Sequence, residues 1–80
     1  FQVFPNPAND VLNIQLELLT SDAQIIIYDN LGKVVWQKAV DQDQTSLEVN
    51  LSDAKFQTGI YTVAMITNDK VTAKRFVISK

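Results

Sequence analysis

The chain has neither cysteine nor histidine among its 80 residues. Without cysteine there is no disulfide framework and no thiolate ligand for a metal, so the hydrophobic core alone must hold this small domain together. Without histidine there is no Ser-His-Asp triad and no imidazole ligand. These two absences remove the Ser-His-Asp hydrolases and the zinc sites built from cysteine or histidine from consideration.

Glycine and long apolar segments are also scarce. Gly32 and Gly59 are the only glycines, which leaves no glycine-rich loop to hold a phosphate. The longest uninterrupted apolar runs, residues 25–28 and 63–66, have four residues each, whereas a bilayer-spanning helix needs roughly 20. We therefore predict that the chain does not span a membrane.

The acidic residues form no recognisable catalytic or metal-binding pattern. Asp41 and Asp43 lack the glycine and the distal glutamate of a calcium loop. Glu17 and Glu48 are candidates for neighbours across two strands, but nothing in the sequence points to the cleft that a glycosidase pair requires. We predict no catalytic residue, no metal and no cofactor, and we expect that the protein is not an enzyme.

What the sequence does contain is alternation of apolar and polar residues. Leu12, Ile14, Leu16 and Leu18 alternate with polar side chains, and this period of two predicts an amphipathic strand. Comparable short segments recur, and we predict strands at residues 1–4, 11–18, 23–28, 33–40, 47–51, 59–67 and 70–79. About seven short strands with no sustained helical period predict an all-β fold, a small antiparallel β-sandwich of the immunoglobulin-like, Greek-key type. We expect a single domain over residues 1–80, excised from a larger protein.

The connections between the predicted strands carry turn signals. Asp29-Asn30-Leu31-Gly32 has the Asp-first, Gly-fourth pattern of a type I turn, which predicts a hairpin. Asn68-Asp69 predicts a second hairpin with a type I′ turn, because both residue types tolerate positive φ. Residues 52–58 are predicted to be irregular, with a single helical turn begun by Ser52 or Asp53.

Gly59 stands two residues before Tyr61 at the start of a predicted strand. This is the layout of a tyrosine corner, in which the phenolic hydroxyl bonds to the backbone a few residues upstream. The pattern predicts that Tyr61, Val63 and Met65 face the core. The alternative is an ordinary, partly buried tyrosine.

Two predicted strands, residues 25–28 and 60–66, are apolar on both sides. The outer side of a half-exposed antiparallel strand is normally polar. Either these strands are central and shielded, or one outer sheet face docks on an attached domain, on a receptor or on a second copy in a weak homodimer. The docking alternative requires Ile26, Ile60 and Ile66 to lie in one contiguous patch.

Charge is distributed unevenly along the chain, whose net charge is −2. Residues 1–69 hold all nine acidic residues and only three lysines, giving −6, whereas residues 70–80 hold four cations and no acid, giving +4. Such an end is either an interaction surface or a sheet edge guarded by lysines. Four cations without an aromatic stacking platform do not indicate nucleic-acid binding.

Four motifs in order connect this chain to a known family. They are Phe4-Pro5-Asn6-Pro7, the Tyr28-Asp29 pair followed by Gly32-Lys33, the Leu51-Ser52-Asp53 segment followed by Gly59-Ile60-Tyr61, and the terminal Lys74-Arg75-Phe76-Val77-Ile78-Ser79-Lys80. At this spacing they resemble the type A C-terminal sorting domains of the bacterial type IX (Por) secretion system, over residues 4–80. Phe4 stands where the family more often has tyrosine.

The resemblance implies a non-catalytic sorting signal that directs a cargo protein through the outer membrane. It implies partners in the type IX machinery, namely a periplasmic or outer-membrane receptor and a sortase-like peptidase that removes the domain, together with an upstream cargo domain. It also implies passage through the periplasm of a Gram-negative bacterium to the cell surface or the medium, with the cargo either anchored or released.

In the family the export information lies towards the C-terminus. We therefore predict that the last strand carries the recognition residues, which are Lys70, Lys74, Arg75, Phe76, Ile78 and Lys80. Cationic side chains on a terminal strand would orient the domain on an acidic receptor, while the backbone and Phe76 or Ile78 would supply affinity. The competing hypothesis is a fibronectin-like or carbohydrate-binding accessory module of a secreted enzyme, for which Trp36 is the one plausible sugar platform.

Overall fold

The computed structural model describes residues 1–16, 21–68 and 70–80. Within these ranges the chain forms seven strands and no helix: β1 (Gln2–Phe4), β2 (Val11–Gln15), β3 (Ala23–Tyr28), β4 (Val34–Val40), β5 (Ser46–Asn50), β6 (Gly59–Ile66) and β7 (Val71–Ile78). All strand pairs are antiparallel and form two sheets, in the orders β1-β2-β5 and β4-β3-β6-β7. This is the Greek-key arrangement of an immunoglobulin-like sandwich, so the predicted fold class is confirmed.

The inner faces of both sheets follow from the period of two in the sequence. In β5, Leu47 and Val49 are buried while Ser46, Glu48 and Asn50 are exposed. The largest side chains that are fully buried come from both sheets and from one loop, and they are Phe56, Phe76, Leu12, Ile14, Ile25, Ile27, Leu51, Ile78, Val49 and Val63. Each such burial contributes about 1.5–3 kcal/mol to stability before the entropy of ordering is counted.

The end of β2 differs from its sequence-based prediction. The strand ends at Gln15, although Leu16 remains buried in the core beyond it. The predicted continuation through Glu17 and Leu18 lies outside the described residues, as does the suggested proximity of Glu17 to Glu48.

The turn between β3 and β4 is confirmed. The Asp29 carbonyl accepts a hydrogen bond from the Gly32 N–H at 3.0 Å, and the Asp29 carboxylate accepts from the N–H groups of Leu31 and Lys33, both at 2.9 Å. Gly32 has φ of +84°, a left-handed conformation that other residues adopt only at a cost. Asp29 and Gly32 therefore have the structural roles that the motif predicted.

The turn between β6 and β7 differs from its prediction. Thr67 and Lys70 close the hairpin, since the Thr67 N–H donates to the Lys70 carbonyl at 3.0 Å. No described residue other than glycine has a positive φ, so Asn68 does not, and a type I′ turn is ruled out at that position. Asparagine tolerates a positive φ without requiring it. Asp69 lies outside the described residues.

The segment between β5 and β6 forms one closed turn. The Asp53 carbonyl accepts from the Phe56 N–H and its carboxylate accepts from the Lys55 N–H, each at 3.0 Å. The predicted turn begins at Asp53 but does not propagate into a helix. It directs the Phe56 side chain, 1% exposed, into the core.

The tyrosine corner follows directly and is confirmed. The Tyr61 hydroxyl donates to the Gln57 carbonyl at 2.8 Å and accepts from the Gln57 N–H at 2.9 Å. Val63 and Met65 face the core with Tyr61, as predicted. The Tyr61 ring stacks on Phe76 of β7, with centroids 5.7 Å apart. The corner thus ties the loop before β6 to the last strand.

Candidate recognition surface

The N-terminal clamp, residues 4–8, connects the two ends of the chain. It leaves β1 through cis Phe4–Pro5 and Asn6–Pro7 peptide bonds and reaches the outer edge of β7. There the Ala8 N–H donates to the Val77 carbonyl and the Ser79 N–H donates to the Ala8 carbonyl, both at 2.8 Å. The Asn6 side-chain carbonyl accepts from the Val77 N–H at 3.0 Å. Pro5, Asn6 and Pro7 therefore form the segment that fastens the smaller sheet to the last strand.

Strand β7 lies at the edge of the four-stranded sheet. The clamp covers only its C-terminal end, at Val77–Ser79. No other described strand pairs with the remaining edge, from Val71 to Arg75. The last strand is thus half covered and half open.

Lys74 occupies an inward position on this open edge. It pairs with Val63, which is fully buried, so its side chain belongs to the inner side of the sheet. Its ammonium lies 5.8 Å from the centroid of the Phe1 ring, within range of a cation–π contact. Lys38 takes the equivalent position on the opposite edge strand, paired with the buried Ile25. Inward-pointing charges on edge strands oppose the addition of a further strand.

The other three cations of the C-terminal segment point in different directions. Arg75 pairs with Thr62 and lies on the outer face of the sheet. Lys70 is exposed where β7 begins. Lys80 lies at the other end, where its N–H donates to the Thr58 hydroxyl at 3.0 Å and its ammonium donates to the Asp53 carbonyl at 3.4 Å. Lys70 and Lys80 flank β7 at its two ends, and ten steps of extended chain span about 33 Å, so these cations form a line and not a cluster.

The two apolar residues predicted to contact a receptor are in the core. Phe76 is 1% exposed and Ile78 is 0% exposed. In the folded domain their side chains hold β7 against the other sheet. The structure therefore brings together only the backbone edge and the cations of the predicted recognition set.

The outer face of the larger sheet contains a feature that the prediction only partly identified. Cross-strand register places fourteen residues on it: Gln24, Ile26, Tyr28, Val34, Gln37, Ala39, Ile60, Thr62, Ala64, Ile66, Val71, Ala73, Arg75 and Val77. Ten of the fourteen are apolar, and we call this surface the apolar face. Ile26, Ile60 and Ile66 lie on its two central strands, but Ile26 is buried at 9% exposure and Ile66 is half-buried, so these three residues do not form one exposed patch. The exposed apolar residues of the face are Ile60 and members of the two edge strands.

The outer face of the smaller sheet has the opposite composition. Its eight positions are Gln2, Phe4, Val11, Asn13, Gln15, Ser46, Glu48 and Asn50, and only Phe4 and Val11 are apolar. We call this surface the polar face. A half-exposed antiparallel sheet is expected to look like the polar face.

The prediction did not name five exposed apolar residues of this face, which are Val34, Ala39, Val71, Ala73 and Val77. Val71 is 66% exposed, Val34 45% and Val77 37%, and Ala73 lies between the two β7 valines. The available signal was the period of two in β7, which puts Val71, Ala73, Arg75 and Val77 on one side. That side has one cation and three apolar residues, whereas the outer side of a half-exposed strand is normally polar.

The described parts of the chain contain neither a candidate metal-binding group nor a candidate membrane-spanning helix. Residues 1–16, 21–68 and 70–80 contain no group of three or more acidic residues that could hold a metal ion. No helix in those ranges is long and apolar enough to cross a membrane. Trp36 faces the core side of β4 and packs against the buried cluster, which is unlike an exposed sugar platform.

Comparison with known proteins agrees with the motif order. No curated protein matches the chain. The family described as "Secretion system C-terminal sorting domain" matches residues 2–79, which is nearly the full length. The match includes the N-terminal clamp, the Asp29–Gly32 turn, the tyrosine corner and β7. The chain therefore belongs to this family of C-terminal sorting domains, whose members are non-catalytic signals for type IX secretion.

Proposed function

We propose that this domain directs an attached cargo protein across the outer membrane by presenting β7 to a receptor of the type IX machinery. The receptor meets the domain in the periplasm, and a sortase-like peptidase later removes the domain at the cell surface. The domain itself performs no catalysis. The cargo ends on the cell surface or in the medium.

The observation that carries the proposal is the position of β7. It is an edge strand with an open backbone segment at Val71–Arg75, and Lys70, Lys74, Arg75 and Lys80 are all exposed along it. All nine acidic residues lie before Lys70 in the sequence. A line of cations on one edge of an otherwise acidic domain favours approach to an acidic receptor and fixes the orientation of the encounter.

Phe76 and Ile78 have an indirect role in this proposal. Because both side chains are buried, they hold β7 in the position at which the receptor meets it. Substituting them weakens recognition through loss of the fold. Substituting the cations weakens recognition while the fold remains.

A pair of charge reversals tests the proposal. In a reporter fused to residues 1–80, the double variant Lys74→Glu and Arg75→Glu should lower the surface-displayed fraction by about ten-fold, the effect of losing about 1.4 kcal/mol of interaction. The matched control is Lys38→Glu with Lys55→Glu, which makes the same change in net charge elsewhere and includes the equivalent inward edge position. Equal losses from both pairs would show that the position of the cations is irrelevant and would overturn the proposal.

A sugar-binding role is not favoured by any observation in the described residues. Its test is simple, because glycan binding that disappears in a Trp36→Ala variant would support it. We expect no such binding, since the Trp36 ring is occupied in packing against the core.

A further inference from the structure

We propose that the apolar face is a docking surface for a protein partner that brings aliphatic or aromatic side chains and one carboxylate, which pairs with Arg75. This inference goes beyond the recognition of the β7 edge, because ten of the fourteen positions lie on β3, β4 and β6. It holds whether or not the partner belongs to the export machinery.

The first support is contiguity. The apolar positions occupy neighbouring strands and successive rows, as in the row Val34, Tyr28, Thr62 and Arg75 and the row Gln37, Ile26, Ala64 and Ala73. Ile26 and Ala64 at the centre are themselves buried, so the exposed apolar surface comes from the residues around them. Single exposed apolar residues are normal on protein surfaces, but several on one face mark an interaction site. Val71, Val34 and Ile60, at 66%, 45% and 44% exposure, are the most exposed large apolar residues of this face.

The second support is charge. The four strands of the larger sheet contain Lys38, Lys74 and Arg75 and no acidic residue, and the two lysines point inward. Arg75 is therefore the single charge on the apolar face. A partner that covered it without a carboxylate would leave a desolvated, unpaired guanidinium, which is strongly unfavourable. The occupant must supply the missing acid.

The same argument disfavours a second copy of this chain as the occupant. Two apolar faces packed together would enclose two Arg75 side chains and no carboxylate. The area is also small, since four strands about 4.8 Å apart and seven residues of about 3.4 Å cover about 450 Å². A stable complex usually buries about 800 Å² on each partner, so this face suits a transient contact with a different protein.

The edges of the sheet give a third reason to place the contact on the face. Lys38 and Lys74 point inward on the two edge strands, where they oppose pairing with a further strand. The N-terminal clamp covers the C-terminal end of β7. The partner of the apolar face is therefore expected to cover the sheet and not to extend it, in contrast to the receptor that meets the β7 edge in the proposed function.

Site-specific photo-crosslinking tests the proposal. A benzophenone-bearing amino acid replaces Ile60 or Val71 on the apolar face, or Ser46 or Glu48 on the polar face, in a reporter fused to residues 1–80 and expressed in a bacterium with type IX secretion. We expect a crosslink to another protein from positions 60 and 71 and none from 46 and 48. The crosslinked segment of that protein should contain an aspartate or glutamate.

Charge variants make the test specific. With the benzophenone at position 60, Arg75→Glu should lower the crosslink yield by about ten-fold and Arg75→Lys should retain most of it, because the lysine keeps the charge. Equal products from both faces, a product joining two copies of the domain, a product with lipid alone, or a yield unaffected by Arg75→Glu would each overturn the proposal.

The proposed function can fail separately. Surface display of the fusion is measured in the same cells as the crosslink. Sensitivity of display to Lys74→Glu with Arg75→Glu, together with no face-specific crosslink, would retain the proposed function and reject the docking surface. A face-specific, Arg75-dependent crosslink with display unaffected by reversal of the β7 cations would do the opposite.

Discussion

The two outer faces of the sandwich differ sharply, although the inner faces of both sheets are apolar. The polar face has two apolar residues among eight positions, and the apolar face has ten among fourteen. Folding requires only the inner faces to be apolar, because those are the surfaces removed from water when two sheets pack. Part of the excess on the apolar face, at Ile26 and Ala64, is buried within the domain. We propose that the exposed remainder is the side of the molecule that meets a partner.

Strand β7, which we propose that the receptor meets, has one side in the core and one side on the apolar face. Its inner side contributes Phe76 and Ile78 to the core, while its outer side contributes Val71, Arg75 and Val77 to the apolar face. Neighbouring residues on one strand thus lie on opposite sides of the sheet, and we propose that one side serves stability and the other recognition. Substitutions at adjacent positions can measure the two contributions independently.

The largest expected effect on stability comes from comparing substitutions on the two sides of β7. Phe76→Ala should destabilise the domain by about 3–5 kcal/mol, because it removes a fully buried ring and leaves a cavity. The adjacent Val77→Ala should cost under about 1 kcal/mol, since that side chain is 37% exposed. Urea unfolding followed by circular dichroism measures both. Similar costs at the two positions would mean that the outer side also packs against the domain.

The next effect compares another adjacent pair, on β6. Tyr61→Phe removes the hydroxyl that bonds both the N–H and the carbonyl of Gln57, and it should cost about 1–3 kcal/mol. Ile60→Thr, on the apolar face, should change stability by less than about 0.5 kcal/mol. The midpoint of thermal unfolding checks the ranking, and a larger shift for Ile60→Thr would contradict it.

A smaller effect is expected at the clamp that fastens the polar-face sheet to β7. Asn6→Ala removes the acceptor of the Val77 N–H and should cost about 1 kcal/mol. Hydrogen exchange at the Val77 amide should become faster, while exchange at Val63 in the sheet interior changes only with global stability. The exposed Asn9→Ala is the control. Unchanged protection of Val77 in Asn6→Ala would show that the clamp does not cover this edge in solution.

The smallest effect on stability compares the faces themselves. Ile60→Thr with Val71→Thr on the apolar face, and Gln15→Thr with Ser46→Thr on the polar face, should each change stability by less than about 1 kcal/mol, since all four positions are exposed. Binding of a dye that becomes fluorescent on apolar surfaces should fall only in the first pair. Equal dye binding in both pairs would remove the contrast between the faces.

Local chemistry explains why much of the fold could be predicted from the sequence. The alternation in β5, the Asp29–Gly32 turn and the Gly59–Tyr61 corner each depend on residues within a few positions of one another. The prediction of a type I′ turn at Asn68 was wrong for a related reason, because asparagine permits a positive φ but does not impose it. Leu16 shows that burial can continue after strand pairing ends.

Non-local contacts explain what the sequence could not reveal. The bond between Asn6 and Val77 joins residues 71 positions apart, and nothing near either residue predicts it. The inward direction of Lys74 depends on its pairing with Val63. In the sequence alone, Lys74 and Arg75 are two neighbouring cations, and nothing tells which one points inward. The apolar face required the order of four strands before its members could be recognised as neighbours.

Surface display of a reporter is the most direct test of the central claim that this domain is a sorting signal read at its last strand. Three fusions are compared in a bacterium with type IX secretion: the reporter alone, the reporter with residues 1–80 and the reporter with residues 1–70. We predict that only the fusion with residues 1–80 reaches the cell surface or the medium. Equal display of the reporter with residues 1–70 would contradict this account.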